Sequence, residues 1–396
     1  MRFLLMKQIG GATLEFDRRL SMLGGRKALR QGLSVVARTG NNLWLANDET
    51  ITIERLTLSK GSDKHEPRFA DHRQFALHDY LKLPIPRSDS GEIDEADIEG
   101  IDFSGDYLWL VGSHSLKRTR PRDDDSPRRS AKRLAKLSRD GNRFLLARIP
   151  IVDEGDGPVP RKKVKLDGEM RTAAILRGDA KGNDLMGALV EDIHLRPFLS
   201  VPGKDNGFDI EGLAVVGERL LLGLRGPVLR GWAVILEILP IEVADNPRAL
   251  KLMKFVPDKQ PYLKHFLQLD GLGIRDLCVH GEDLLILAGP TMELDGPVKL
   301  FRWPDGANSP REAAVCRDDL ELLGAIPYGQ GDEAGMDHAE GITLLADDGD
   351  QVRSVLVVYD SAAPRRQWTE AETVRADIFA LPELHPTIAI GVKADP

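Results

Sequence analysis

The feature that most limits how this chain can fold is a unit that recurs five times. An apolar strand, a tight Gly, Asp or Asn turn and a second, almost wholly apolar run follow one another in Leu33–Asn47, Asp97–Ser113, Asp209–Gly223 and Gly273–Ala288. The fifth unit begins at His338–Ala346 and resumes at Ser354–Asp360. Each is the signature of a β-hairpin. The second runs, such as Leu108–Val111 and Leu284–Leu287, are apolar on both faces and must be covered on both. The middle strands of a β-propeller meet that demand, because each lies between neighbouring blades.

The periodicity therefore predicts an all-β chain: one β-propeller over residues 1–382, with a tail at 383–396. Third strands are read at Thr52–Thr57, Phe144–Ile149, Ala233–Ile238 and Val298–Trp303, and outer strands at segments such as Arg73–Leu77 and Lys251–Phe255. Anchors at Ser34, Ile98, Ile210, Ile274 and Ala339 give steps of 64, 112, 64 and 65 residues. The long step holds insertions in the second blade, at about 117–143 and 160–205, which leaves five blades, or six if one is cryptic. The last unit is short of an outer strand, and Ala12–Phe16 is placed to supply it and close the ring.

Within the first insertion, residues 117–143 carry 11 Lys or Arg against 4 Asp. Ser126-Pro127 is a helix start, and Arg128–Leu137 reads as a short amphipathic helix with a solvated basic face. An RNA or acidic partner for that face is the lesser reading. Apolar spacing over Asn183–Ser200 also fits a helix.

Chain direction selects one face of a propeller. The corners Asp97-Ile-Glu99-Gly100, Asp209-Ile-Glu211-Gly212 and His338-Ala-Glu340-Gly341 open inner strands, and the ends of second strands return to the same side. Asp48, Glu49, Ser113, His114, Arg225 and Asp360 are thus expected around one channel mouth. Glu99, Glu211 and Glu340 occupy equivalent places, and Arg275 takes that place in the fourth unit. Carboxylates held together need a cation or protons, and oxygen-rich sites suit Ca²⁺ or Mg²⁺, so these three are the candidate metal ligands. The structural alternative has Arg275 pairing two of them. His114, His338 and Arg225 are the candidates for chemistry, His because it titrates near neutral pH and Arg225 as an anion fork or as a partner of Glu211. Asp97 and Asp209 are read as local turn residues, and the glycines as sites of close backbone approach or positive φ.

A net charge of −8 opposes binding to nucleic acid or anionic membrane. Cys278 and Cys316, far apart, indicate neither a zinc site nor a disulfide framework. No run of 18 apolar residues is present and Met1–Lys7 is too short for a signal peptide, so cytoplasmic residence is the expectation. Signatures of familiar enzymes are absent: no phosphate-binding Gly-Lys loop, no Gly-x-Ser-x-Gly and no His-Glu-x-x-His.

Asp97-Ile-Glu-Gly, Leu108–Ser115, Asn206–Leu213 and Gly223-Leu-Arg-Gly-Pro-Val-Leu-Arg-Gly-Trp-Ala233, taken in order, resemble the bacterial family of unknown function numbered 3616. That resemblance covers most of the chain and implies no activity. The Glu-Gly-Ile corners are similar, more loosely, to those of esterase-like and phytase-like propellers. This implies acidic, metal-associated positions at Glu99, Glu211 and Glu340, with Arg275 as the departure. Three functions stay open: a module binding a small polar ligand or divalent cation at the mouth, a metal-dependent hydrolase of esters or phosphoesters, and a protein-interaction scaffold.

Overall fold

Each recurring unit folds as the antiparallel hairpin its apolar runs require, and each hairpin is extended by two further strands. In a computed structural model, which describes residues 5–21, 28–86, 95–257, 259–292, 296–329, 331–346, 352–369 and 372–382, the chain is mostly β. The tail expected at 383–396 lies outside the described residues.

The first array runs Leu33–Thr39, Asn42–Asn47, Thr52–Leu58 and Arg68–Ala76, each antiparallel to the next. The second runs Ile98–Ser104, Tyr107–Gly112, Leu146–Asp153 and Ala174–Leu176. The third comprises Asp209–Val216, Arg219–Gly226, Trp232–Ile238 and Tyr262–Gln268. Gly273–His280, Asp283–Gly289, Val298–Trp303 and Glu321–Ile326 form the fourth. In the last, His338–Ala346, Val352–Asp360 and Thr373–Ala380 are completed by Gln8–Glu15 from the N-terminal end, with Ala12 opposite Ala376. The N-terminal strand thus supplies the missing outer strand.

First strands pack edge to edge in order: Leu33–Thr39 on Ile98–Ser104, then Asp209–Val216, Gly273–His280 and His338–Ala346, which returns to Leu33–Thr39. The result is a propeller-like β fold. Its apolar core lies in layers between neighbouring arrays. Trp44, Ile53, Leu108 and Ile149 fill one such layer, and Val111, Leu213, Leu222 and Leu236 the next. Burial of these side chains at about 25 cal/mol per Å² drives the packing.

Three outer edges are blunted by a short stretch of parallel pairing with a strand from another part of the chain, which protects them from pairing with other chains. Thr13-Leu14 lies beside Arg68-Phe69, Ala249-Leu250 beside Ile175-Leu176, and Ala313–Val315 beside His265–Leu267. This corrects the outer strand expected at Lys251–Phe255. The strand there is Asn246–Leu252, which joins the edge of the second array, while Tyr262–Gln268 closes the third. It also shows that residues 160–205 are not wholly an insertion, since they include the outer strand Ala174–Leu176. Alternation of apolar residues over three positions was too short a signal to read.

Helix α1, Pro127–Leu134, starts at Ser126 as expected, the Ser126 hydroxyl accepting from the Arg129 amide. None of its residues is buried, and Leu134 on its apolar side is 47% exposed. Helix α2, Asp184–Leu189, is shorter than the span 183–200 expected from spacing, and a 3₁₀ turn at Arg196–Phe198 follows it. No helix is long and apolar enough to cross a membrane among the described residues.

Candidate functional site

The site is built by five β-bulges. The register of each first hairpin shifts at its opening corner, between Leu33 and Val35, Ile98 and Gly100, Ile210 and Gly212, Ile274 and Asp276, and Ala339 and Gly341. The extra residues are Ser34, Glu99, Glu211, Arg275 and Glu340. A bulge re-aims its extra side chain out of the pleat. Here it does so at equivalent positions around the cycle of inner strands. Ser34 is therefore the counterpart of Glu99, one residue off the anchor alignment expected from sequence, because strand periodicity does not reveal which residue a bulge inserts.

The glycine after each Glu makes this corner sterically feasible. A Cβ on Gly100 would stand 2.6 Å from both Leu213 Cβ and Val111 Cγ1, and one on Gly341 would stand 2.7 Å from Val358 Cγ2 and 3.0 Å from the Val36 amide nitrogen. Close approach of the next inner strand, not positive φ, is what demands glycine here.

At the mouth the charged groups interlock. Arg225 Nη1 donates to Glu211 Oε1 at 2.6 Å and Nε to the Thr291 carbonyl at 3.0 Å, with Asp209 at 3.8 Å. Arg275 Nη1 lies 3.2 Å from Glu211 Oε2 and 2.6 Å from Glu340 Oε1, so it bridges two of the three glutamates. Arg143 joins from the stretch read as a basic insertion, 2.8 Å from both Asp97 Oδ2 and Glu95 Oε1 and donating to Ser115 Oγ. Ser113 and Ser115 hydroxyls are 3.0 Å apart beneath it. Asp97 and Asp209 are thus members of the ion network rather than turn residues alone. Nothing in the sequence near Arg143 marked it, since the pairing crosses 46 positions to Asp97.

Seven carboxyl groups, Asp48, Asp97, Glu99, Asp209, Glu211, Glu340 and Asp360, share this region with Arg143, Arg225 and Arg275. Acid is in excess, and proton affinities rise accordingly. Burial first, then the charges of Asp97, Glu211, Glu340 and Asp48, hold Glu99 well above the usual carboxylate range. Glu340 is raised by burial and by Asp360, against the pull of Arg275. Asp209 is pushed up to about 7 by burial and by Glu211. Glu99 makes no hydrogen bond or ion pair with another described residue; Glu49, beside the mouth, is exposed.

Three expectations change here. His114 is buried and spoken for at both nitrogens: Nδ1 meets the Gly112 carbonyl at 2.7 Å and Nε2 meets Asn183 Nδ2 at 2.7 Å. Its imidazole accordingly donates from Nδ1 and accepts at Nε2, and burial lowers it to about 4. It is a neutral structural link, not a proton carrier for the mouth. His338 is exposed and its Nε2 meets the Gly335 carbonyl at 3.0 Å, in a surface depression shared with Gln31, Met336 and Ser361. The metal set also fails to assemble. Among the described residues no group of three or more His, Cys, Asp or Glu side chains is arranged to hold an ion, because Arg275 stands between Glu211 and Glu340 where a cation was expected.

The fold has distant structural likenesses. Glutaminyl cyclase of Myxococcus xanthus aligns at a TM-score of 0.36 and 10% identity, over 95% of this chain and 100% of that one. The PQQ-bound aldose sugar dehydrogenase of Streptomyces coelicolor aligns at a TM-score of 0.33 and 11% identity, over 95% and 100%. An exo-β-1,3-galactanase of Phanerochaete chrysosporium aligns at 0.37 and 9%, over 96% of this chain and 65% of that one. No curated protein matches the chain. Residues 32–377 match a family as a whole, spanning every inner strand and all five bulges, and by that match the chain belongs to the family described as Protein of unknown function (DUF3616).

Proposed function

We propose that the chain is a five-bladed propeller whose bulge-lined mouth binds a small polar ligand bearing positive charge, with Glu99 as its principal contact. The order in which the five inner strands contact one another supports the blade count. One observation carries the ligand reading: guanidinia meet Glu211 and Glu340, while Glu99 is surrounded by carboxyl groups and paired with no described cation. This surrounding favours a proton on Glu99, and an incoming cationic group can displace it. The guanidinia already seated between the other carboxylates favour an organic cation over a carboxylate cage for Ca²⁺ or Mg²⁺.

Titration calorimetry with putrescine, Ca²⁺ and Mg²⁺, repeated in buffers of different ionisation enthalpy, tests this. Putrescine is expected to bind with proton release and to lose both binding and release in Glu99→Gln. If none of the three binds the intact protein, or if Glu99→Gln leaves binding unchanged, the reading fails. A hydrolytic reading draws on the same group, since a carboxyl whose proton affinity is raised by burial and neighbouring carboxyls can serve as a general acid. Its test is turnover of generic esters and phosphoesters that disappears in Glu99→Gln.

A further inference from the structure

The inner strands that open at the acidic mouth end, about 10 to 13 Å farther on at about 3.3 Å per residue, around a different cavity. It is an open cavity of about 400 Å³ and takes residues from the ends of all five inner strands, among them Arg38, Asp102, Val215, Cys278 and Thr343. That volume falls within the range of small-molecule sites.

Arg38 is the unusual member. It is half-buried, its Nε donates to the Gly40 carbonyl at 2.8 Å, and it forms no ion pair with a described residue. Burial lowers the proton affinity of its guanidinium, and no carboxylate of the described residues offsets this. The acid nearest in the cavity wall is not available to it: Asp102 Oδ1 accepts from the Phe103 amide at 2.7 Å and Oδ2 from the Val215 amide at 2.7 Å. Asp276, on the fourth inner strand, is held the same way by the Leu277 and Ile342 amides, both at 2.8 Å. A partly desolvated cation without a counter-charge is unfavourable, and an anion corrects it. Ser104 and Thr343 line the same cavity, and no hydrogen bond joins either hydroxyl to a described residue.

We infer that this end of the channel is a second binding site, for a small organic carboxylate whose charge is met by Arg38 and whose apolar body rests on Phe103, Val215 and Leu344. The class follows from shape. With Nε committed to Gly40, the guanidinium presents one remaining edge, Nη1 and Nη2, a two-pronged fork that matches a single planar carboxylate. A phosphate dianion asks for more cationic partners than one. The apolar wall asks for a hydrocarbon body, and Ser104 and Thr343 supply further donors to the carboxylate.

Titration calorimetry of the full chain with benzoate, hexanoate, benzamide and inorganic phosphate tests the assignment. Benzoate or hexanoate is expected to bind with a Kd of about 1 mM or tighter. Arg38→Gln is expected to weaken that binding about tenfold or more, and benzamide, the uncharged counterpart, to bind at least about tenfold less well than benzoate. Thr343→Val should weaken benzoate by a smaller factor, about three- to tenfold. Because a variant can disturb folding, the unaltered protein is also treated with phenylglyoxal, and benzoate is expected to slow modification of Arg38 as read by peptide mass spectrometry. Failure of both carboxylates to bind, binding indifferent to Arg38→Gln in a variant that melts normally, tighter binding of phosphate than of either carboxylate, or no protection of Arg38 would each overturn the assignment.

Discussion

The two ends of the same five inner strands treat charge in opposite ways. At the mouth, bulges turn Glu99, Glu211, Arg275 and Glu340 out of the pleat, and Arg143, Arg225 and Arg275 lie among an excess of carboxyl groups. At the far end there is no such bulge in the described pairing of the first four hairpins. There Asp102 and Asp276 are satisfied by backbone amides, one of them in each case from the next inner strand, and the cation, Arg38, has no ion-pair partner among the described residues. A carboxylate held by backbone staples neighbouring arrays and contributes nothing to a ligand. One held by a mobile proton or a shared guanidinium can exchange that partner. Side-chain partners, rather than residue types, separate the acids that staple neighbouring arrays from those that can exchange their partner.

The largest test of this contrast is Arg225→Met. Arg225 is buried, and its removal strips Glu211 of its 2.6 Å partner while leaving the carboxylate enclosed. Breaking one side of a buried pair costs about 3–5 kcal/mol. Urea unfolding at neutral pH is expected to show a loss of that size. Arg38→Gln at the far end, where no ion pair with a described residue is lost, is expected to cost less than about 1 kcal/mol. Equal losses at the two ends would remove the distinction.

A second test uses pH. Asp102 is pushed up to about 6 by burial, against the two amide hydrogen bonds that favour its charged form. A raised carboxyl affinity in the folded state means stability that is fully present below the ordinary carboxylate range, near 4, and is lost as pH rises through about 6. Asp102→Asn does not titrate. The stability of the unaltered protein minus that of Asp102→Asn is therefore expected to fall across this window by at most about 1.4 kcal/mol per pH unit, about 3 kcal/mol in all. Denaturant unfolding at pH 4, 5, 6 and 7 measures it. A difference that rises with pH would show that the amide bonds outweigh burial and that Asp102 is better held than its surroundings imply.

Much of this was legible in the sequence because the hairpins repeat. Apolar runs such as Leu284–Leu287 located second strands, the Glu-Gly corners located the mouth, and Ala12–Phe16 was placed in the closing strand. The pairing of Arg275 with two glutamates was one of the two readings offered. What stayed hidden depends on contacts across long separations. His114 read as chemistry because its partner, Asn183, lies 69 positions away and also caps helix α2. Arg143 read as one basic residue among many. The outer strand Ala174–Leu176 owes its place to neighbours on both sides, since three residues carry no periodicity of their own. The bulges shifted Ser34 by one place against the alignment, as a single inserted residue must.

Ser34 gives the smallest test and the one most specific to the mouth. It holds the bulge position that Glu or Arg holds elsewhere, yet its hydroxyl donates to the Ile98 carbonyl of the neighbouring inner strand at 2.8 Å. The first unit thus uses its bulge in the manner of the far end, as a staple. Ser34→Ala removes one buried hydrogen bond and is expected to cost about 1 kcal/mol, with putrescine binding at the mouth unchanged. Ser34→Glu instead adds an acid beside Glu99, where the existing excess already favours protons. It is expected to destabilise the fold at neutral pH more than at pH 5, because protonation relieves the added repulsion, and thermal melts at the two pH values measure the gap. A Ser34→Glu variant equally stable at both would mean that the first unit is not turned toward the mouth, and the five bulges would have to be split into four that face the ligand and one that only joins blades.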